Sequence, residues 1–136
     1  MSHARQALVV HPAAPDMGES QRTALSECID AALACSQACT TGADGCLEEP
    51  GVTHLRDVIR TQQNCAALCS ATAQILSRFG SDFGPTPDSV LHALDEVAGL
   101  CEDACRVYAG AYAHCRVTAD SCARVRAAIA ALLAVE

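Results

Sequence analysis

Apolar residues recur along most of the chain at alternating spacings of three and four, the period of a helix that buries one stripe. The first run is Leu25, Cys28, Ala32, Cys35, Cys39, Gly42, Cys46, and the second is Leu55, Val58, Gln62, Cys65, Cys69, Thr72, Leu76, Phe79. The third is Leu91, Leu94, Ala98, Cys101, Cys105, Tyr108, Tyr112, and the fourth is Cys115, Thr118, Cys122, Val125, Ile129, Leu132. Asp30, Gln37, Arg56, Arg60, Arg106, Asp120, Arg124 and Arg126 fall off these seams. The pattern predicts helices over about 20–47, 53–79, 87–112 and 115–134.

Breaks separate the runs. They are Pro50-Gly51, the stretch from Gly80 to Pro87, and Gly110 with the His114-Cys115 region. Thr86-Pro87-Asp88 reads as a helix start, with Thr86 as N-cap, Pro87 at the first helical position and Asp88 favourable to the dipole. Gly42 and Gly45 weaken the end of the first helix by about 1 kcal/mol each relative to Ala. Residues 1–19 hold Pro12 and Pro15, no cysteine and no sustained period, and are expected to form a flexible or loosely docked extension. Short connections between amphipathic helices predict an all-α fold over 20–136, an antiparallel up-down four-helix bundle.

The ten cysteines change the picture. A seam covers two residues in seven, yet every cysteine falls on one. The expected core is therefore lined with thiols. With aromatic residues at 3% and no Trp, the rest of it must be small and aliphatic. Leu25, Leu76, Leu91, Ile129, Leu132 and Leu133 are expected to form a metal-free apolar region that lets the bundle fold on its own.

The net charge is −7, and all 9 basic residues are Arg. An acidic chain without a basic stripe and with few rings argues against a nucleic-acid partner. No apolar run approaches the roughly 18 residues of a membrane span. The N-terminal stretch has a short apolar segment, Leu8 to Val10, and nothing like a secretory h-region, so the expected location is the cytoplasm. Thiols there are kept reduced, and many cysteines point to metal ligands or redox groups before a disulfide framework.

Three pairs are spaced by four: Cys35/Cys39, Cys65/Cys69 and Cys101/Cys105. On an intact helix their Cβ atoms stand about 5–6 Å apart, too far for a disulfide, which needs roughly 3.5–4.5 Å. The same spacing lets one metal ion bridge two sulfurs. Zinc prefers four ligands, so it would draw pairs from facing helices. Soft thiolates in general select copper(I), zinc or iron–sulfur clusters. A tube of thiols with few carboxylates on the seam favours a soft monovalent ion, because each copper(I) balances one thiolate. The Cys-x2-Cys spacing of iron–sulfur and thioredoxin-type sites is absent, as is the Glu-x2-His of dinuclear iron bundles. Cysteine also serves as a small buried hydrophobe, but that reading suits one or two residues better than ten.

Among the histidines, His114 beside Cys115 stands near the predicted turn between the third and fourth helices, as a ligand at the mouth of the bundle or as a solvated turn residue. His92 lies one residue off its seam; His54, His3 and His11 read as ordinary exposed histidines. Tyr108, Tyr112 and Phe79 look like apolar plugs where the cysteine seam ends, and Asp57, Glu102 and Asp103 fall on outward faces.

The runs CIDAALACSQACTTGADGCLEE, NCAALCSATAQILSR and CEDACRVYAGAYAHCRVTADSCARV together resemble the cysteine-rich four-helix-bundle copper storage proteins of bacteria, over roughly residues 22–130. The resemblance implies many copper(I) ions held inside the bundle by thiolates, and a homotetramer. Ala-rich outer faces would let the bundles associate closely. Cys28, Cys35, Cys39, Cys46, Cys65, Cys69, Cys101, Cys105, Cys115 and Cys122 match family ligand positions, and His114 matches a histidine near the open end. Ala32, Gly42, Thr118, Val125 and Ile129 stand where the family commonly has cysteine, which implies a reduced capacity. The expected function is cytosolic copper(I) storage or buffering without catalytic turnover. A zinc-binding thiol buffer, a thiol redox sensor or enzyme using Cys46 or Cys115, and a metal-free scaffold are the rival readings.

Overall fold

The structure is a computed structural model that describes residues 1–79 and 86–135. Five α-helices occur among the described residues: α1 (His3–Val9), α2 (Glu19–Leu47), α3 (Arg56–Leu76), α4 (Thr86–Tyr108) and α5 (Ala113–Ala134). Short 3-10 turns, Ala14–Asp16 and Val52–Leu55, precede α2 and α3. No strand occurs among the described residues. No described helix is long and apolar enough to cross a membrane.

Helices α2 to α5 form a four-helix bundle. α2 packs against α3 and α5, and α4 packs against the same two, so α2/α4 and α3/α5 face each other across the diagonals. Tyr108 at the end of α4 donates its hydroxyl to the His54 carbonyl before α3, at 3.2 Å. Cys46 near the end of α2 meets His114 at the start of α5. Helix ends thus alternate with helix starts around one rim, as an up-down bundle requires.

The seam residues do what their period demands. All ten cysteines are buried and free. At the opposite end from Cys46 the core is aliphatic: Leu25, Leu76, Leu91, Leu94, Ile129 and Leu132 are each at most 3% exposed. Outside, Arg126 bonds Asp95 and Glu102 while Arg106 reaches Glu102 and Asp120, tying α4 to α5. Glu102, expected simply to be solvated, is thus shared by two guanidinium groups. These pairs are exposed and add little stability each.

The helix ends differ from the sequence expectation in a few places. α4 stops at Tyr108 rather than near 112, because the amides of Ala111 and Tyr112 both turn back to the Tyr108 carbonyl. α3 starts at Arg56 and stops at Leu76, with 3-10 geometry before it and the Ser77 hydroxyl bonded to the Ala73 carbonyl after it. Most of the Gly80–Pro87 break, and the side chain of Thr86 with its capping role, lie outside the described residues. Residues 1–19 carry structure of their own. Ser2 caps α1 through the Arg5 amide, Leu8 is buried, Arg22 bonds the carbonyls of Ala14 and Met17, and the His11 ring packs tilted against Phe79 at 4.3 Å. One buried leucine in a helix this short leaves no periodicity to read.

Candidate metal centre

α2 stays helical through Gly42 and Gly45 to Leu47 because both glycines sit where a side chain has no room. A Cβ at Gly42 would fall far inside contact distance of Gln62 Oε1 and Thr118 Oγ1. One at Gly45 would stand 3.3 Å from the His114 ring. The helix-weakening residues therefore mark close approach, and Cys46 keeps its seam position.

The thiols gather into two groups with an outlier. In the deep group, Cys35, Cys39, Cys65 and Cys122 bring their sulfurs within 4.8 Å of one another. Cys35 Sγ lies 3.8 Å from Cys39 Sγ and 3.9 Å from Cys122 Sγ. Cys65 and Cys69 are 4.0 Å apart, and Cys69 also bonds Cys35. Cys101 joins through hydrogen bonds to Cys105, Cys122 and Cys39. Four different helices thus contribute sulfur to one contiguous cluster.

Thiols crowded this closely cannot ionise together. Hydrogen bonds from Cys122 and Cys39 pull Cys35 down to about 5, and those from Cys105 and Cys122 pull Cys101 to about 5. Cys65 is also lowered, chiefly by Cys101. Their partners Cys39, Cys69, Cys105 and Cys122 are pushed up by hydrogen bonds with the lowered thiols and by burial. In each pair spaced by four, the first cysteine is the easier to deprotonate. The cluster can accept a soft cation while its thiols release protons.

The second group sits at the rim. Cys46, His114 and Cys115 present their donor atoms within 4.8 Å of one another. Both sulfurs lie 3.8 Å from His114 Nδ1. On the far side of the ring, His114 Nε2 is 3.1 Å from Glu49 Oε1. A carboxylate only accepts, so Nε2 carries the hydrogen, and in the neutral ring Nδ1 then turns its lone pair toward the sulfurs, the arrangement seen around metal-bound histidines. Tyr112 stacks on the ring at 5.6 Å. Tyr108 and Tyr112, expected as plugs, instead wall this mouth. His114 is half-buried, whereas Cys46 and Cys115 are fully buried. Burial pushes the Cys115 thiol up to about 12.

Cys28 belongs to neither group. It lies seven residues before Cys35, about 10 Å down the axis of α2. Burial alone raises its thiol to about 12. His92, His54 and His3 are exposed and His11 packs tilted against Phe79, so none of them joins either thiol group.

Sequence reasoning passed over three residues at the site. Glu49, which orients His114, lies just past α2 and leaves no pattern. Gln62 and Thr118 did leave one, as polar residues on apolar seams. Gln62 is fully buried, donates Nε2–H toward Cys46 Sγ at 3.6 Å and accepts the Thr118 hydroxyl at 2.8 Å.

A four-helix bundle whose donors all point inward, in one cluster of sulfur and one of sulfur with imidazole, defines a thiol-lined metal-binding class. Residues 21–134 match the copper storage proteins, and the chain belongs to that family. It is similar to the copper storage protein Ccsp of Streptomyces lividans in its structure loaded with 10 copper equivalents, with 41% identity and a TM-score of 0.90 over 96% of this chain and 98% of that one. The five-copper structure of that cytosolic protein is similar at 43% identity and a TM-score of 0.83, covering 86% and 98%. Among curated proteins none matches the chain significantly.

Proposed function

We propose that this protein stores copper(I) in the core of its bundle, several ions per chain, in the cytoplasm. The observation that carries the reading is the contiguous thiol cluster of Cys35, Cys39, Cys65, Cys69, Cys101, Cys105 and Cys122, buried in a member of the copper storage family. These cysteines, with Cys46, Cys115 and His114 at the rim, are the proposed ligands. Cys28 stands apart and is left out of the set. Copper(I) accepts few sulfur ligands and shares them readily, so a cluster with sulfurs about 4 Å apart can fill ion by ion. The missing thiols at Ala32, Gly42, Thr118, Val125 and Ile129 lower the capacity, and their places are taken by packing residues. The bundles associate as a homotetramer. The role is storage rather than turnover, as the name of its family has it.

Anaerobic titration of the reduced protein with copper(I), against a chromogenic copper(I) chelator and with zinc in parallel, tests this. Several equivalents withheld per chain with little competition from zinc are expected. One equivalent or fewer, or a preference for zinc in the four-sulfur group, overturns the storage reading. Sedimentation of the metal-free and loaded protein tests the tetramer.

A further inference from the structure

Between the rim group and the deep group the core changes chemistry for one layer. Going inward from Cys46, the next seam position on α2 is Gly42. On α5 the position after Cys115 is Thr118, and on α3 the matching position is Gln62. None of the three carries sulfur. Gln62 and Thr118 sit on α3 and α5, which are diagonal partners, so their 2.8 Å hydrogen bond crosses the axis of the bundle; it is shorter than the Thr118 hydroxyl's approaches to the His114 carbonyl, at 3.1 Å, and the Ala38 carbonyl, at 3.4 Å. Both side chains are fully buried. Gly42 fits against the middle of this bridge and has no space for a Cβ. The layer is a closed polar septum. Thr72, the buried threonine of α3, bonds the Leu68 carbonyl of its own helix.

Along α2 and α5 the sulfur is interrupted there. Cys46 to Cys39, and Cys115 to Cys122, are each seven residues, about 10 Å of helix. Only α4 keeps sulfur through this level. Cys105 and Cys101 are one turn apart, about 6 Å, and hydrogen-bond each other. Cys105 is fully buried and is the α4 cysteine on the rim side of Cys101. It stands on the α4 seam between Cys101 and the rim.

We infer that the Gln62–Thr118 bridge separates two copper compartments, and that Cys105 on α4 relays copper(I) past it from Cys46, His114 and Cys115 to the deep thiols. This rests on the storage reading above and adds a route and an order to it. Each transfer exchanges one ligand for another. A copper–sulfur bond to Cys105 forms as one to Cys46 or Cys115 breaks. The proton leaving Cys105 goes to the released thiolate, and copper stays in its +1 state with no electron moved. The next exchange, onto Cys101, repeats the step.

The test is anaerobic stopped-flow mixing of the reduced full-length protein with copper(I) supplied as its acetonitrile complex, followed by copper–thiolate absorption. Chelator competition on the same samples gives the final copper count. Two phases are expected in the parent: a fast one at the rim and a slow one in the deep group. Replacing Cys65 and Cys122 together by Ser should remove most of the slow amplitude, which assigns it. Cys105→Ala should slow that phase by about tenfold or more while leaving the fast phase in place. Thr118→Val keeps the shape, frees the Gln62 amide and should speed the slow phase severalfold at an unchanged final count. Far-UV circular dichroism confirms that each variant is folded, and Gln62→Leu replaces Thr118→Val if that variant fails. Filling of the deep group by Cys105→Ala at the parental rate overturns the relay. Parental kinetics in the septum variant, or a single phase in the parent, overturns the two compartments. A parent that withholds no copper at equilibrium removes the storage reading itself, a different result from any of these.

Discussion

The two halves of this core are buried equally well and built for opposite purposes. Toward one end lie Leu25, Leu76, Leu91, Leu94, Ile129 and Leu132, each at most 3% exposed. Toward the other lie the thiols, Gly42, Gln62 and Thr118, also hidden from water. The aliphatic half gains its full transfer free energy on folding, about 1.5–3 kcal/mol per large side chain. The thiol half gains less per residue and must keep a buried amide and hydroxyl satisfied, which the Gln62–Thr118 bond does. Folding is therefore secured at one end, leaving the other free to carry groups chosen for chemistry.

Loading with copper should invert that difference, and this is the largest effect expected. Each ion held at about a thousand times its dissociation constant adds about 4 kcal/mol to the folded state. The loaded protein should melt far above the metal-free one. The Cys65→Ser, Cys122→Ser double variant should lose most of that rise. Melting followed by circular dichroism with and without copper decides it, and an equal rise in both would place the metal outside the deep group.

In the metal-free protein the halves separate by mutation. Leu94→Ala should cost about 2–5 kcal/mol, because it opens a cavity in a core that cannot fully collapse. Cys122→Ala removes a single small atom and should cost about 1 kcal/mol. Urea titration gives both numbers. The copper count should behave the other way, unchanged by Leu94→Ala and reduced by Cys122→Ala. Equal costs would mean that the thiol half is as stabilising as the leucine half.

This division was partly legible in the sequence. The seam positions of all ten cysteines announced a thiol-lined bundle, because burial period and ligand position coincide on a helix. The aliphatic end could be read from Leu25, Leu76, Leu91, Ile129 and Leu132. The grouping of the thiols could not. It depends on how far each helix is shifted along its neighbours, which sets Cys122 beside Cys35 but leaves Cys28 apart. Gly42 and Gly45 were legible only as costs to helix propensity, since the atoms that require them, on Gln62, Thr118 and His114, come from other helices. Helix α1 rests on one cap and one buried leucine, too little for a pattern.

Gly42→Ala probes the boundary between the halves. Alanine is the better helix former by about 1 kcal/mol. Its methyl group would collide with the Gln62–Thr118 bridge, however, and overpacking a tight layer costs about 1–3 kcal/mol, with the strained hydrogen bond on top. A net loss of about 1–2 kcal/mol in urea unfolding of the metal-free protein is expected. A gain in stability would show that the septum yields without cost, and that its closure is not enforced by packing.

Cys28 gives the smallest effect and the sharpest check on where the thiol half ends. It sits below the deep group, between Leu25 and Ala32 on the α2 seam, and burial alone raises its thiol from 9.0 to about 12. A raised thiol stabilises the fold fully below the unfolded value and loses that contribution as pH climbs from 9.0 toward 12, because the unfolded chain then gives up a proton that the folded one retains. One pH unit above the lower limit the loss is about 1.4 kcal/mol. Cys28→Ala should therefore lose less stability than the parent when metal-free protein is moved from neutral pH into that window, although the other raised thiols still contribute to the fall in both. At neutral pH the variant should be weaker by about 1 kcal/mol for the small cavity it leaves. Its copper count should equal the parent's. A count lower by one ion or more would make Cys28 a ligand, and the storage half would then reach past Ala32 into the layer that holds the bundle together without metal.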